Sequence, residues 1–441
     1  MQRVTRTFAV LCAGLLTGAG VTACGGGSDS ASSSDTLTYW ATNQGTSLDA
    51  DKAILQPEIA KFTKRTGIKV DLEVIPWTTL LNRILTATTS GKGPDVLNIG
   101  NTWSASLQAT GAFVPWDKAM LDKVGGKSRF LPAALQSTGA TGQDPVGLPL
   151  YTKAYEFYYN KKLFKAAGIT QPPTTWAEFL ADAKKLTKDT DGDGKTDQWG
   201  LTMEGASYTM ASHFAFILGK QHGARIFDGH TPKFDDQAMV DGIDQWVDWF
   251  GKDGIINPSD AEITDTAPML KNFSSGKAGM LLVQTLGSTM DQFNMTTKDY
   301  GVAPMPALDA SGGADDIGSF VAGSNVTIFK NTKNLDGATQ FVKFLTSAKE
   351  QVILNKAYGS IPSVVDAKDP AFETDEFKVA RDTLADRAMP LPQITEEAQF
   401  ETLVGKAMNG FAAQAATGKQ PSASDVRSEM SAANQKLTAG Q

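Results

Sequence analysis

The apolar positions of this chain switch between two spacings. Residues 37–41 alternate apolar and polar and read as a strand. In 51–65, Leu55, Ile59 and Phe62 recur at helical spacing, and Gly67 stands where the helix should stop. Residues 68–75 read as a second strand. Residues 78–89 read as a second helix with Leu81, Ile84 and Leu85 turned inward. After the turn Gly91-Lys92-Gly93-Pro94, residues 96–99 form a third, buried strand. Strand, helix, strand, helix, strand predicts an α/β lobe on a parallel sheet.

A second α/β region begins after Pro149. Residues 157–159 are strand-like and 161–167 are a short helix stopped at Gly168. In 175–187, Thr175 and Glu178 are spaced as a capping box, and Phe179, Ala183 and Leu186 face a core. A helix over 236–251 carries Trp246, Trp249 and Phe250. Residues 321–329 read as a strand, 335–345 as a helix with Phe341, Phe344 and Leu345, and the last quarter as mostly helical. No short-period repeat is visible.

The N-terminus departs from this pattern. Arg3 and Arg6 precede an apolar stretch over 8–21, which ends in Val21-Thr22-Ala23-Cys24 and Gly25-Gly26-Gly27-Ser28. A basic start, a short apolar core and a small residue before the cut read as a secretory signal over 1–23, too short for a stable span. The cysteine at the cut resembles the lipobox of bacterial lipoproteins, in which Cys24 would be lipidated and residues 24–34 would form a flexible tether of about 20 Å reach. The expected location is therefore the outer face of the cell membrane. Only Cys12 and Cys24 exist, so the mature chain has no disulfide. The 441 residues carry a net charge of −7, which offers no basic footprint for nucleic acid. No other apolar run approaches membrane length, and the body is expected to be soluble and monomeric.

Motifs over 39–362 come in a recognisable order: Tyr39-Trp40, Gly93-Pro94-Asp95-Val96, Gly147-Leu148-Pro149-Leu150-Tyr151, Tyr158-Tyr159-Asn160-Lys161, Pro173-Thr174-Thr175-Trp176, Phe273-Ser274-Ser275-Gly276-Lys277 and Gly359-Ser360-Ile361-Pro362. Together they resemble the family 1 extracellular solute-binding proteins, the sugar receptors of ABC importers, to which maltose-binding protein is related. The resemblance implies a two-lobed periplasmic-binding-protein-like fold of type II. Lobe I would hold 35–149 and 318–365, and lobe II 150–317 and 366–441. Ligand would sit in the cleft, and the lobes would close over it. The importer's membrane and ATP-binding subunits would be separate chains.

A sugar stacks its C–H faces on aromatic rings and engages its hydroxyl rim with donors and acceptors. Ligands of open α/β sheets bind beyond the carboxyl ends of strands. Trp40, Asn43 and Gln44 follow the first strand, Trp77 the second, and Asn101 and Trp103 the third. Trp40 and Trp103 are the favoured site residues, whereas Trp77 fits core and site equally. From the resemblance, Tyr151, Lys153 and Tyr155 would line the first hinge crossing. Glu204 and Tyr208 would form a contact loop of lobe II, Thr285 would lie beside Leu286 where many relatives carry Trp, and Phe400 would supply a late aromatic.

Residues 189–200 hold a further candidate. Asp189, Asp191, Asp193 and Asp197 occupy positions 1, 3, 5 and 9 of an EF-hand-like loop, with Gly194 at 6 and Lys195 completing the set. Position 12, normally a bidentate Glu, is Gly200. A structural calcium ion and an acidic surface turn both fit this pattern. No cofactor is needed for function.

The rival to a receptor is a secreted glycoside hydrolase, which needs two carboxylates flanking one bond. No nucleophile elbow, zinc-binding His pair or phosphate loop is present, and His213, His222 and His230 lack metal-ligand spacing. An adhesin, or a receptor for peptide, polyamine or metal, are the other readings. The expected function is reversible binding of a di- or oligosaccharide, without catalysis.

Overall fold

The computed structural model describes residues 35–309 and 317–440. The expected signal, Cys24 and the whole of the 24–34 tether lie outside the described residues. The strands, in chain order, are β1 (Thr36–Thr42), β2 (Lys69–Ile75), β3 (Val96–Gly100), β4 (Leu148–Lys153), β5 (Tyr155–Asn160), β6 (Trp199–Thr202), β7 (Phe227–Asp228), β8 (Thr231–Pro232), β9 (Ala278–Gln284), β10 (Tyr300–Ala303), β11 (Ser319–Phe320), β12 (Ala322–Ile328), β13 (Ile361–Pro362) and β14 (Ala388–Met389).

β1 pairs parallel with β2 from Thr36–Lys69 to Thr42–Ile75, and with β3 on its other side. The Leu48–Thr66 helix joins the first two strands. The Ser47 hydroxyl caps its start by accepting from Ala50 N, and Gly67 ends it at φ +78, a conformation only glycine adopts without strain. The expected parallel sheet holds for these three strands only. β12, returning from the other half of the chain, runs antiparallel to both β3 and β4. The first sheet is therefore mixed, in the order β13-β4-β12-β3-β1-β2. Because β4 pairs there, the chain leaves this sheet after Lys153, not at the expected 149/150 division. Apolar cores cover both faces of the sheet, one around Phe62, Phe341 and Trp116 and the other around Ile84, Leu107 and Trp103.

The second sheet has the order β10-β5-β9-β6, with β5 antiparallel to β9 and β10 and β6 parallel to β9. The predicted capping box forms: Glu178 N donates to the Thr175 hydroxyl, and the Glu178 carboxylate accepts from Thr175 N. The helix it starts, Trp176–Leu186, joins a core of Phe157, Phe214, Trp246 and Trp249. The long helices Tyr208–Gln221 and Glu397–Ala416 pack closely there. A side chain at Gly405 would meet the carbonyl oxygen of Tyr208 at 2.0 Å, so only glycine permits the approach.

The chain crosses between the sheets at Ala154, where β4 passes into β5, and again at Val321, where β11 passes into β12. β11 also pairs parallel with β14, which ties the second crossing to the C-terminal helices. Among the described residues no helix is long and apolar enough to cross a membrane.

Candidate ligand-binding cleft

Because β1, β2 and β3 are parallel, their carboxyl ends share one edge, and each delivers a tryptophan to it. The parallel pair β6 and β9 does the same in the second lobe with Glu204 and Thr285. These edges meet. The Thr46 hydroxyl, in the loop after β1, donates to Gln292 Oε1 of the second lobe at 2.8 Å.

On the first edge, Trp40 is half-buried with the Arg83 guanidinium 4.3 Å from its ring centroid. Glu73 holds Arg83 there through paired 2.6 Å contacts. The Asn43 amide donates to Asp51 Oδ2 at 2.6 Å, while Gln44 N and Gly45 N donate to Asp51 Oδ1 at 3.2 and 2.9 Å. Burial pushes the Asp51 carboxyl up, and these donors pull it back. Asn43 thus shapes the loop, and the Gln44 side chain turns to Thr42 Oγ1 at 2.7 Å.

The tryptophans divide the sequence preference: Trp40 stays half-buried, and the equally favoured Trp103 is sealed. Trp103 is 1% exposed, whereas Trp77 is only partly covered. Their rings meet edge to face, with centroids 5.6 Å apart. Trp77, like Trp40, keeps part of its surface exposed, and Trp103 is the sealed partner of the pair. Asn101 is buried as well, its amide donating to Ser137 Oγ at 3.0 Å and Val321 O at 2.6 Å.

At the crossing, Tyr151 packs in the first core, edge to face with Tyr358 at 5.2 Å. Thr285 is fully buried and splices the crossing, its backbone N donating to Ala154 O at 2.9 Å. Phe400 stacks among Phe227 and Phe234 inside the second lobe. Large side chains with their surface fully covered offer a ligand nothing, so these three are framework, contrary to expectation. Lys153 differs: it is half-buried, and among the described residues its ammonium makes no ion pair or hydrogen bond. Burial pushes its ammonium down to about 8, against the pull of Glu376, Asp51 and Glu156.

On the second edge, Glu204 is buried and accepts from the Thr266 hydroxyl at 2.7 Å. Burial lifts its carboxyl to about 7. Tyr208 opens its helix half-buried, with the Lys406 ammonium 5.9 Å from its ring. Burial, then Glu401, raises its hydroxyl to about 12. Tyr155 is buried, its hydroxyl 2.9 Å from His213 Nδ1.

A profile of the bacterial extracellular solute-binding proteins matches residues 45–352. This chain belongs to that family. Among its relatives, the diacetylchitobiose-binding protein DasA of Streptomyces coelicolor is 25% identical over 355 residues, 78% of either chain. A Thermotoga lettingae solute-binding protein, solved with α-D-tagatose, superposes with a TM-score of 0.77 at 20% identity, over 91% of this chain and 99% of that one. The GacH receptor of Streptomyces glaucescens, solved unliganded and with acarbose, gives 0.71 at 24% identity, over 91% and 98%. The two-lobed fold of this solute-binding protein is thus the fold of sugar-binding relatives.

Several polar residues of the solute-binding cleft escaped sequence reasoning. Glu401 accepts from Trp103 Nε1 at 2.5 Å and lies 3.2 Å from His213 Nε2. Glu376 gathers the Tyr158 hydroxyl at 2.7 Å and the backbone N–H groups of Leu286 and Gly287 at 3.0 and 2.5 Å. Glu401 and Glu376 stand in helices whose periodicity marks buried positions without revealing that an acid among them has partners hundreds of residues away. His213 is the satisfied core histidine that its lack of ligand spacing implies.

In the acidic loop, Asp189, Asp191 and Asp197 bring carboxylate oxygens within 4.8 Å of one another, all exposed. Asp193 and Lys195 are not part of that group. Asp189 accepts from Gly192 N at 2.6 Å and Gly194 N at 2.7 Å, which holds its carboxyl below its usual range.

Proposed function

We propose that this protein is an extracellular sugar receptor of an ABC importer, capturing a di- or oligosaccharide between its lobes for a separate permease and catalysing no reaction. The observation that carries the reading is a half-buried aromatic beyond the carboxyl end of a strand in each lobe, Trp77 after β2 and Tyr208 after β6. An aromatic plate for a sugar's C–H face, with neutral and ionisable hydrogen-bonding groups around it, is what a pyranose needs. Lys153 at the crossing supplies a further donor. Relatives whose names specify diacetylchitobiose, tagatose and acarbose support a carbohydrate over a peptide or a polyamine. Isothermal titration against a panel containing diacetylchitobiose, maltotriose and acarbose tests this. Heat with at least one is expected. Silence with every sugar, together with binding of peptides or amines, would overturn it, and release of free monosaccharide would point to a hydrolase.

The reading extends to two further features. Cys24 would carry lipid that keeps the receptor near its permease, and a Cys24→Ala variant is expected to leave the membrane fraction. The 189–197 loop would take a weakly held structural calcium ion through Asp189, Asp191 and Asp197. The melting temperature should then rise with added calcium and fall with chelator; indifference to both means an ordinary acidic turn.

A further inference from the structure

The base of the cleft holds a buried chain of four side chains that none of the sugar-binding roles uses. It starts in the first lobe at Trp103, just past β3. Trp103 Nε1 donates to Glu401 Oε2 at 2.5 Å. Glu401 Oε1 lies 3.2 Å from His213 Nε2, and His213 Nδ1 lies 2.9 Å from the Tyr155 hydroxyl. A carboxylate only accepts, so Nε2 carries the ring proton and Nδ1 accepts from Tyr155. The His213 ring is also pinned by Phe320, with centroids 4.3 Å apart. Trp103 and Glu401 are 1% exposed, Tyr155 1% and His213 8%.

The elements involved make this an interlobe device. Trp103 packs in the core of the first sheet, with Ile84 and Leu107. Glu401 stands in the Glu397–Ala416 helix, whose Val404, Met408 and Phe411 lie in the core of the second lobe along with Tyr155. The same helix touches the first lobe once more, through Ala398 N donating to Ser106 Oγ at 3.1 Å. Trp103–Glu401 is therefore a buried hydrogen bond between a first-lobe ring and a second-lobe acid. An opening that separates Trp103 from this helix would break it and expose both groups to water.

One turn earlier, Glu397 is fully buried, and neither of its carboxyl oxygens has a hydrogen-bond partner among the described residues. Such a group costs free energy in a sealed interior and regains its hydration when a seam opens.

We propose that Glu401 is the positioning residue of an interlobe latch, holding the Trp103 indole of one lobe against the His213–Tyr155 pair of the other, so that Trp103 serves closure rather than sugar stacking. The proposal rests on the two-lobed receptor reading but not on the identity of the sugar, and its test uses the protein without ligand.

Small-angle scattering of the ligand-free full chain measures the lobe opening. W103F keeps the ring and removes the N–H. E401L removes the acceptor, whereas E401Q keeps an acceptor for Trp103 and an amide that can donate to the other histidine tautomer. A bond to an ionisable group of this kind is worth about tenfold in the closed-to-open ratio. W103F and E401L are expected to enlarge the radius of gyration while unfolding cooperatively. E401Q should retain wild-type dimensions, and W103F/E401L should be no more open than either single variant. Wild-type dimensions in W103F would overturn the latch, as would opening in E401Q equal to that in E401L. Should E401L fail to fold, W103F and E401Q still decide.

Discussion

Trp77 and Phe400 separate two roles that both looked aromatic and ligand-facing in the sequence. Trp77 is open on one face, so Trp77→Ala is expected to weaken sugar binding about tenfold or more with little change in melting temperature. Phe400 fills the second core. Phe400→Ala should cost about 3–5 kcal/mol of stability, through lost burial and a cavity. The protein that remains folded should keep its sugar affinity. Calorimetric titration and thermal melts on both variants check the pair. Glu204 adds a pH effect. Burial raises its carboxyl from 4.5 to about 7. Its contribution is therefore fully present below about pH 4.5 and is lost as pH rises through about 7, roughly 3 kcal/mol in all. Melting temperatures should fall over that range and fall less in Glu204→Gln. Asp260, which burial lifts to about 6, accounts for part of the remaining slope.

At the scale of elements, the lobes also meet backbone on backbone. The Ala348–Tyr358 helix ends at Gly359 with φ +56, where an added Cβ would stand 1.7 Å from Leu286 O beyond β9. Glu376 secures the same segment from the other side. Gly359→Ala combines left-handed strain with a clash that backbone cannot easily yield to. We expect it to cost more than about 2 kcal/mol and to shift the lobe spacing, read by melting temperature and by scattering. Helix positions were legible because capping and apolar spacing are local. The Trp176–Leu186 helix begins where Thr175 and Glu178 said it would, and Gly67 ends the first helix as read. Strand direction was not legible. Nothing local to residues 321–329 states that they return between β3 and β4 against the sense of the first three strands.

For the whole molecule, sheets joined at Ala154 and Val321 and in contact at Thr46–Gln292 and Trp103–Glu401 describe two bodies with few covalent links and a seam between them. Ligand that bridges Trp77 and Tyr208, both half-buried, should draw these bodies together. Small-angle scattering is therefore expected to show a smaller radius of gyration on addition of whichever sugar gives heat, and an unchanged curve would count against closure. The family was legible from ordered motifs because each marks a turn, cap or strand end that the fold repeats. Sequence alone placed the tryptophans at one shared edge, since three parallel strands deliver their carboxyl ends together. It determined the α/β class, the helices and the candidate edge of the cleft, all of which follow from spacing along the chain. Only the tertiary structure decided that Trp77 stays open while Trp103 is sealed, that Tyr151, Thr285 and Phe400 are framework, and that Glu401 and His213 meet beneath the cleft. Burial and partnership belong to residues brought together from distant parts of the chain, and no local pattern carries that information.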